Sequence, residues 1–391
     1  MLVSKTFRYR LKINKTQEKF FYQTSGNCRF LYNHFLNERI TKYKEENKSL
    51  SYYDQANLLP FLKKELEWLR LSPSQSLQHT LKDLDQAFKN FFRRCKQGGE
   101  SPGFPQFKRK GVNDSFRLPQ GFQIIEKGKV KLPKIGIVKY VESRPIEDRI
   151  RNITIRRDYK HWYVSFNCEV EQSVQQTTKI SQIGIDRGVV NNLTLSNGDK
   201  YNMPKDELQK LQKKIKYLQT KLSKQKLKSN NRNKTKERIS KLYLKIRNIR
   251  QDWNHKYSTM IAKSHSLIVL ENLNTKSMTK SAKGDSDNPG KNVKIKSMLN
   301  RDVLNCAWYQ FESFLTYKCD WYGSYLTTVD PKHTSQECSQ CGNISKENRK
   351  SQSIFSCKSC GYSDNADINA ANNILTRGHR GLASGATALA G

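Results

Sequence analysis

With 391 residues, the chain is long enough for roughly two or three domains with sizeable apolar cores. Its 71 Lys and Arg against 35 Asp and Glu give a formal net charge of +36, which opposes compaction and predicts a large polyanionic partner. No apolar run approaches a membrane-spanning length and residues 1–10 have no signal-peptide core, so a membrane surface is the weaker interpretation and no membrane partner is expected.

The first half of the chain predicts a β module that is interrupted by helices. Residues 3–11 alternate as a strand with one basic face, and further short strands are predicted between 115 and 168. Between these strands, helical periodicity is clearest in 74–92, where apolar side chains form one stripe. We therefore expect a domain over residues 1–180 with a helical insertion at about 14–110.

The second half predicts an α/β domain over residues 181–335. Two apolar strands, 182–190 and 266–271, each carry an acid at or near the carboxyl end. Between them lies a helical segment rich in Lys and Arg, 205–260, which keeps one apolar face. An amphipathic helix is predicted over 299–318, before a last strand of the domain.

Four cysteines near the C-terminus have the spacing of a tetrahedral zinc site. They form two Cys-x-x-Cys pairs, each followed by a glycine: Cys338, Cys341, Cys357 and Cys360. Four thiolates leave no open position for water, so we expect Zn²⁺ to be structural, in a ribbon over 336–362. Four unrelated buried thiols are the weaker interpretation. The other cysteines show no paired framework, which fits free thiols in a reducing cytoplasm.

Three acids are the candidates for chemistry. Asp186 and Glu271 lie at strand ends, and Asp367 opens a helix, where the N-terminal dipole favours a carboxylate. If the three converge, their hard oxygen ligands select Mg²⁺ or Mn²⁺. Two such ions can hydrolyse a phosphodiester, which is the active-site logic of RNase H-like nucleases. Taken alone, each acid would more often be a helix cap or a surface charge. The prediction therefore rests on the order of the three acids along the chain, two at strand ends and one at a helix start.

The choice of the third acid rests on packing. Asp364 also precedes the last helix and is the alternative. After Asp367, however, the apolar positions Ala370, Ala371 and Ile374 can pack while the aspartate projects from the first turn. We therefore favour Asp367, in a segment 363–378 that completes the α/β domain. The tail 379–391 is rich in small residues and is predicted to be disordered.

With these acids and paired cysteines, the chain resembles TnpB, the transposon-encoded family related to type V CRISPR effectors. The resemblance is most specific in Gly-Ile-Asp-Arg-Gly-Val at 184–189, in Ile-Val-Leu-Glu-Asn-Leu at 268–273, in the paired cysteines and in 367–374. It implies a multidomain α+β protein with an N-terminal β-barrel that carries a helical recognition insertion. An RNase H-like (RuvC) α/β domain with an inserted zinc ribbon would follow.

The same resemblance implies an RNA-guided DNA endonuclease that cuts beside a short adjacent motif. Its partners would be a guide RNA from the transposon end and target DNA, in a ribonucleoprotein with one protein chain, and its location the prokaryotic nucleoid. The family's nuclease acids fall on Asp186, Glu271 and Asp367, and Arg187 beside the first acid could weaken ion binding or contact phosphate. The family reads the motif with its insertion and barrel, for which the candidates are Tyr53, Gln75, Gln78, Arg109 and Arg117.

Two other function classes remain open. One is an RNA-guided DNA-binding regulator without nuclease activity, which the intact acids disfavour. The other is a DNA transposase that acts without RNA and could use the same three acids. A stand-alone TnpB and a small CRISPR effector are also hard to separate from sequence, although the short N-terminal half favours the former.

Overall fold

The computed structural model describes residues 2–98, 102–146, 149–171 and 181–388. The chain divides into two compact units, Met1–Gln172 and Ser173–Gly391. This division falls beside the polar stretch 173–179 that the sequence predicts as a boundary, although 172–180 lie outside the described residues. The units are described in turn.

The first unit contains an antiparallel sheet of seven strands. In sheet order β2-β6-β7-β1-β5-β4-β3, they are β1 (Leu2–Lys12), β2 (Ser115–Leu118), β3 (Gln123–Glu126), β4 (Lys129–Leu132), β5 (Gly136–Tyr140), β6 (Arg149–Asp158) and β7 (His161–Glu171). The terminal strands β2 and β3 do not pair within the described residues, so the sheet is open and the predicted barrel is not seen. The connection between its two halves is narrow, because β1 pairs with β7 from Leu2 to Arg10 and with β5 only through Leu11 and Lys12.

Three helices lie between β1 and β2, where the sequence predicts an insertion. They are α1 (Lys15–Glu46), α2 (Tyr52–Glu65) and α3 (Ser74–Lys96), with a short 3₁₀ turn between the last two. A capping box begins α1, since the Asn14 side chain accepts from Gln17 N at 2.8 Å while Gln17 Oε1 accepts from Asn14 N at 3.2 Å. The apolar stripe of α3 is buried in one core with the sheet, as predicted from its period.

The second unit is built on a mixed sheet of five strands. In sheet order β10-β9-β8-β11-β12, they are β8 (Gln182–Asp186), β9 (Leu193–Leu195), β10 (Lys200–Tyr201), β11 (Leu267–Glu271) and β12 (Tyr325–Val329). The strands β8, β11 and β12 are parallel, and Ile185 pairs with Leu270. The carboxyl ends of β8 and β11 therefore lie side by side at one edge of the sheet, and these ends carry the first two candidate acids.

Within the described residues, six α-helices and a small hairpin accompany the sheet of the second unit. They are α4 (Lys205–Ser223), α5 (Asn230–Ser264), α6 (Thr275–Met278), α7 (Val293–Asn305), α8 (Trp308–Tyr322) and α9 (Ala366–Ala388), with β13 (Ile354–Ser356) paired to β14 (Ser363–Asn365). The single helix predicted over 299–318 is two helices, because Ala307 adopts a left-handed conformation with φ 53°. Where a disordered tail is predicted from 379, α9 continues to Ala388, and 389–391 lie outside the described residues. Each described helix falls short of the combination of length and apolar character that a bilayer crossing requires.

Two glycines allow α9 to lie directly on the parallel strands. A Cβ added at Gly184 of β8 would lie 2.1 Å from the carbonyl oxygen of Ala371. A Cβ added at Gly378 of α9 would lie 2.4 Å from Cγ2 of Val269 in β11. Real side chains do not tolerate such distances, so these two positions fix how closely the helix that carries Asp367 approaches the strands that carry Asp186 and Glu271.

This packing predicts opposite effects for two glycine substitutions in the same helix. Gly378→Ala should lower the free energy of unfolding by about 1–3 kcal/mol, because the new methyl group overlaps Val269. Gly381→Ala places its methyl group in open space and should raise helix stability by about 0.5–1 kcal/mol. Urea unfolding followed by circular dichroism measures both. Equal effects of the two substitutions would contradict the described contact between α9 and β11.

Candidate metal centres

The three candidate acids meet at the carboxyl edge of the parallel strands. Asp186 is the last residue of β8 and Glu271 the last of β11, while Asp367 lies in the first turn of α9, which packs on both strands. The negative charges of Glu271 and Asp367 both act on the carboxyl of Asp186. The sequence-predicted acids are therefore neighbours in space, although about 180 residues separate the first from the third.

The electrostatics of this edge favour a bound cation. Burial, together with the negative charges of Glu271 and Asp367, raises the pKa of Asp186 to about 7, against the opposing charge of Arg349. Burial also raises the pKa of Glu271, against a hydrogen bond from Thr334 and the charge of Arg187. Buried carboxylates that repel one another gain from a divalent ion, and an all-oxygen donor set fits Mg²⁺ or Mn²⁺. The residues present thus fit the ions that the sequence predicts.

Neutral side chains hold two of the three carboxylates. The hydroxyl of Thr334 donates to Oε1 of Glu271 at 2.6 Å. The Nδ2 of Asn191 donates to Oδ2 of Asp367 at 2.9 Å. The sequence analysis did not single out either partner, because Thr334 lies 63 residues from its acid and Asn191 lies 176 residues from its own.

The structure adds Arg349 to this site. Its guanidinium lies 3.7 Å from Oδ1 of Asp367, and it donates to the main-chain carbonyl of Gln352 at 3.0 Å. Arg349 comes from the loop between the two cysteine pairs, where Lys346 and Lys350 lie near it in sequence. The sequence around a basic loop residue does not indicate that its side chain contacts a distant acid, so the sequence analysis did not identify Arg349.

Arg187, the basic residue beside Asp186, is bound inside the protein. It is buried, its Nη1 donates to Glu312 of α8 at 2.7 Å, and its Nη2 donates to the main-chain carbonyl of Glu271. The guanidinium therefore joins the end of β8 to the end of β11. Its positive charge also acts on the carboxyl of Glu271, so a weakening of ion binding by Arg187 stays a prediction.

The geometry also separates Asp367 from Asp364. Asp364 lies in β14, where its Oδ2 accepts from the hydroxyl of Tyr362 at 2.7 Å. Its Oδ1 accepts from the main-chain N–H of Asn365 at 2.6 Å. Asp367, in contrast, acts on Asp186 and is held by Asn191 and Arg349. This arrangement favours Asp367 as the third acid.

The four predicted cysteines form a compact second centre. Their sulfur atoms all lie within 4.8 Å of one another, with Cys338–Cys360 at 3.7 Å and Cys341–Cys357 at 3.6 Å. A tetrahedron with Zn–S bonds of about 2.3 Å has edges of about 3.8 Å, so the donor set fits Zn²⁺. Within the described part of the chain, this is the one group of three or more such ligands brought so close, which means that the three acids are more widely spaced.

The five candidate nucleic-acid contacts lie in the first unit, and two of them, Arg117 and Tyr53, line different depressions. Gln78, Arg109 and Arg117 are exposed, Gln75 is half-buried, and Tyr53 is 75% exposed. Arg117 lines a polar cavity of about 90 Å³ and lies 3.4 Å from Nε2 of His79. Tyr53 lines a different, wider depression of about 610 Å³ beside Lys82 and Lys89.

Three segments of the chain match described protein families. Residues 165–282 match "Probable transposase", 308–374 match "Cas12f1-like, TNB domain" and 1–48 match "Helix-turn-helix domain". The second match spans α8, β12, the four cysteines and the start of α9. In the last match, residues 2–46 form β1 and the single long helix α1, apart from the short link between them.

Whole-chain relatives carry nuclease names. The chain is 41% identical over 382 residues to "Putative RNA-guided DNA endonuclease InsQ" of Escherichia coli K12, covering 97% of this chain and 93% of that protein. It is 29% identical to "Putative RNA-guided DNA endonuclease" of Streptomyces pristinaespiralis, covering 98% and 91%. It is 28% identical to "CRISPR-associated endodeoxyribonuclease Cas12f1" of Sulfoacidibacillus thermotolerans, covering 77% and 76%.

A solved structure of "the mini-RNA-guided endonuclease CRISPR-Cas_phi3" aligns with a TM-score of 0.49 at 11% identity, covering 96% of this chain and 92% of that one. A likeness at this level carries no argument about the site.

The cysteine centre predicts one zinc ion per chain. Elemental analysis of freshly purified protein should find it, and Cys341→Ser should lower both the zinc content and the melting temperature, because folding of the ribbon is coupled to the metal. Cys95→Ser, at an exposed cysteine of α3, is the matched control and should change neither quantity. Zinc-free wild-type protein would refute the assignment.

The raised pKa of Asp186 predicts a pH-dependent gain in stability for Asp186→Asn. Folding raises this pKa from about 4 to about 7, so the ionised carboxyl disfavours the folded chain at pH 8. In zinc-loaded protein without Mg²⁺ or Mn²⁺, the substitution should raise the melting temperature by a few degrees at pH 8. The gain should shrink at pH 5, where Asp186 is protonated in the folded chain.

Thermal unfolding at the two pH values measures this difference. Asp364→Asn removes a carboxyl that already accepts two hydrogen bonds and serves as the control, without the same pH-dependent gain. A gain for Asp186→Asn that grows toward pH 5 has the wrong sign for a raised pKa and would contradict the description of the site.

Proposed function

The chain belongs to the TnpB family, and on that premise we propose that it is a transposon-encoded, RNA-guided DNA endonuclease that cuts beside a short adjacent motif. The observation that carries the proposal is the meeting of Asp186, Glu271 and Asp367 at one buried edge of a parallel sheet. This is the arrangement that RuvC-type, metal-dependent phosphodiester hydrolysis requires. In this proposal, residues 181–335 and 363–378 form the nuclease domain and 336–362 the zinc ribbon.

The proposed mechanism follows from the surroundings of each acid. The three carboxylates would hold the divalent ions, which supply an activated water and stabilise the leaving oxygen when bound. Asn191 and Thr334 orient two of the carboxylates through their hydrogen bonds. Arg349 carries a positive charge to the same edge, where it can pair with a phosphate oxygen of the DNA once Asp367 binds an ion. A rigid, buried set of ligands of this kind limits the reorganisation needed during the reaction.

The rest of the chain would bind nucleic acid. With 36 more positive than negative side chains, the protein would release many counterions from a long RNA, which gives strong and salt-sensitive binding. The basic helices α4 and α5 are suited to grip the backbone. In the first unit, which would correspond to the family's β-barrel and its insertion, we propose that the five candidate contacts read the adjacent motif. Base pairing with the guide would select the target, and one protein chain would act in each ribonucleoprotein.

A DNA transposase that acts without RNA is the second candidate, because residues 165–282 match the family described as "Probable transposase". The same three acids would serve it. A nuclease-independent regulator is disfavoured, because all three acids are present and two of them, Glu271 and Asp367, are held by hydrogen bonds. The requirement for RNA therefore separates the two leading candidates.

The proposed function predicts that the acids and the RNA have separable roles. In protein purified with its RNA, Asp186→Ala, Glu271→Ala and Asp367→Ala should each lower the cleavage rate at least about a thousandfold, because each removes a ligand of the proposed ions. RNA binding and target binding should persist. Asp364→Ala is the control variant and should cut at nearly the wild-type rate. Loss of cleavage only in Asp364→Ala would transfer the role to that residue.

The comparison with RNA-free protein decides between the two candidates. Wild-type protein stripped of RNA should not cut the target, and cleavage should return when the co-purified RNA is added back. If stripped protein cuts the same DNA equally well, the RNA-guided proposal is wrong and the transposase becomes the better account.

A further inference from the structure

We propose that Thr334 is a positioning residue that sets the carboxylate of Glu271 for binding a divalent ion, and that α9 holds Thr334 in place. The inference rests on the proposed function, because it takes the three acids to be ion ligands. It assigns a role to a residue that lies outside the acids and the cysteines, in the segment between β12 and the first cysteine pair.

The contact between Thr334 and Glu271 is short, buried and specific. Thr334 is 3% exposed and Glu271 7% exposed. The threonine hydroxyl lies 2.6 Å from Oε1 of Glu271 and 3.1 Å from the main-chain carbonyl of Pro331. A hydroxyl donates one proton, and the shorter distance assigns it to the carboxylate. This bond uses one lone pair of Oε1 and fixes the rotation of the carboxylate, so that its remaining lone pairs keep one direction toward an ion.

One face of α9 fixes the segment that carries Thr334. The Nδ2 of Asn373 donates to the carbonyls of Thr334 at 2.9 Å and Glu337 at 2.7 Å. The Nδ2 of Asn369 donates to the same Glu337 carbonyl at 2.8 Å. Arg377 donates to the Glu337 carboxylate at 2.5 Å and to the carbonyl of Lys332 at 2.7 Å. Residues spaced by four lie on one helix face, so three side chains of α9 bind one stretch of backbone.

The hydrogen bonds of Asn369, Asn373 and Arg377 connect two of the acids through a single helix. Helix α9 carries Asp367 in its first turn, and its Asn373 side chain binds the main-chain carbonyl of Thr334. Thr334 in turn holds Glu271. The distance between Glu271 and Asp367 is therefore set by side-chain contacts as well as by the packing of α9 on the strands. The segment bound by α9 also leads into the cysteine centre, since Asn369 Oδ1 accepts from Ser339 N at 3.0 Å.

A positioning role differs from a merely structural one in what it should change. If Thr334 only filled space in the core, replacing its hydroxyl by a methyl group of equal size would leave ion binding unchanged. If it positions Glu271, the same replacement leaves Oε1 without its donor and lets the carboxylate rotate. Substitutions of residues that orient metal ligands typically weaken metal binding about 10- to 100-fold.

The test measures ion binding directly and does not depend on cleavage. Mn²⁺ is titrated into zinc-loaded protein with its RNA removed, and free Mn²⁺ is followed by electron paramagnetic resonance. Thr334→Val should bind Mn²⁺ at the acid site at least about tenfold more weakly than wild type. Thr334→Ser keeps the hydroxyl and should bind within about threefold of wild type. Ser335→Ala removes a neighbouring hydroxyl outside the Glu271 contact and is the matched control.

Two further measurements separate positioning from misfolding. Zinc content and melting temperature should stay near wild type in Thr334→Val, and if that variant does not fold, Thr334→Ala removes the hydroxyl without adding a methyl group in its place. With guide RNA restored, the cleavage deficit of Thr334→Val should be large at limiting Mg²⁺ and shrink as Mg²⁺ is raised.

The outcomes are distinguishable. Wild-type Mn²⁺ affinity in folded Thr334→Val or Thr334→Ala would overturn the positioning role and leave the proposed function untouched, provided that Glu271→Gln loses Mn²⁺. Loss of zinc together with Mn²⁺ would show a structural role and also overturn it. If the wild-type protein binds Mn²⁺ through Glu271 but does not cut with its RNA, the proposed function fails while the positioning role stands.

Discussion

Repulsion between three clustered carboxylates is the constraint on which the second unit depends. The acids Asp186, Glu271 and Asp367 come from two strand ends and one helix, and the chain must keep them together although their charges push them apart. It does so with elements that stay folded for other reasons. The parallel strands β8 and β11 are buried, and α9 packs against them at Gly184 and Gly378, where no side chain intervenes. The apolar packing of α9 on these strands thus offsets the electrostatic repulsion between the three acids.

The position of the cysteine centre in the chain connects it to the three acids. It lies between the second and the third acid, so its fold decides where the chain re-enters the sheet edge. Its loop supplies Arg349 to Asp367, and the segment before it supplies Thr334 to Glu271. The two centres are therefore connected by direct contacts, since Arg349 and Thr334, from the segments around the cysteines, contact two of the acids.

The features that the sequence predicts well are those with a local signal. Strands that end in Asp186 and Glu271 show as apolar runs, and the cysteine spacing identifies its own centre. Features that depend on contacts between residues far apart in the chain were missed by the sequence analysis or predicted wrongly. The hydrogen bonds of Asn191 and Thr334 join residues far apart in sequence, and Arg187 is bound by Glu312, 125 residues away, so no local pattern shows that it points inward.

Backbone conformation and strand pairing account for the other differences. The break at Ala307 needs a left-handed residue that helical periodicity does not reveal. Closure of the first sheet depends on whether its edge strands meet, which short strand patterns in sequence do not determine.

The most direct test of the central claim is to exchange the target-matching end of the guide RNA and map the cut positions. The same wild-type protein is loaded with two RNAs that differ only in that end, and each complex is given a DNA that contains both matching targets beside the same adjacent motif. The account predicts that the cut moves with the RNA and disappears in Asp367→Ala for both guides. Cuts that stay at one DNA position whichever RNA is loaded would contradict it.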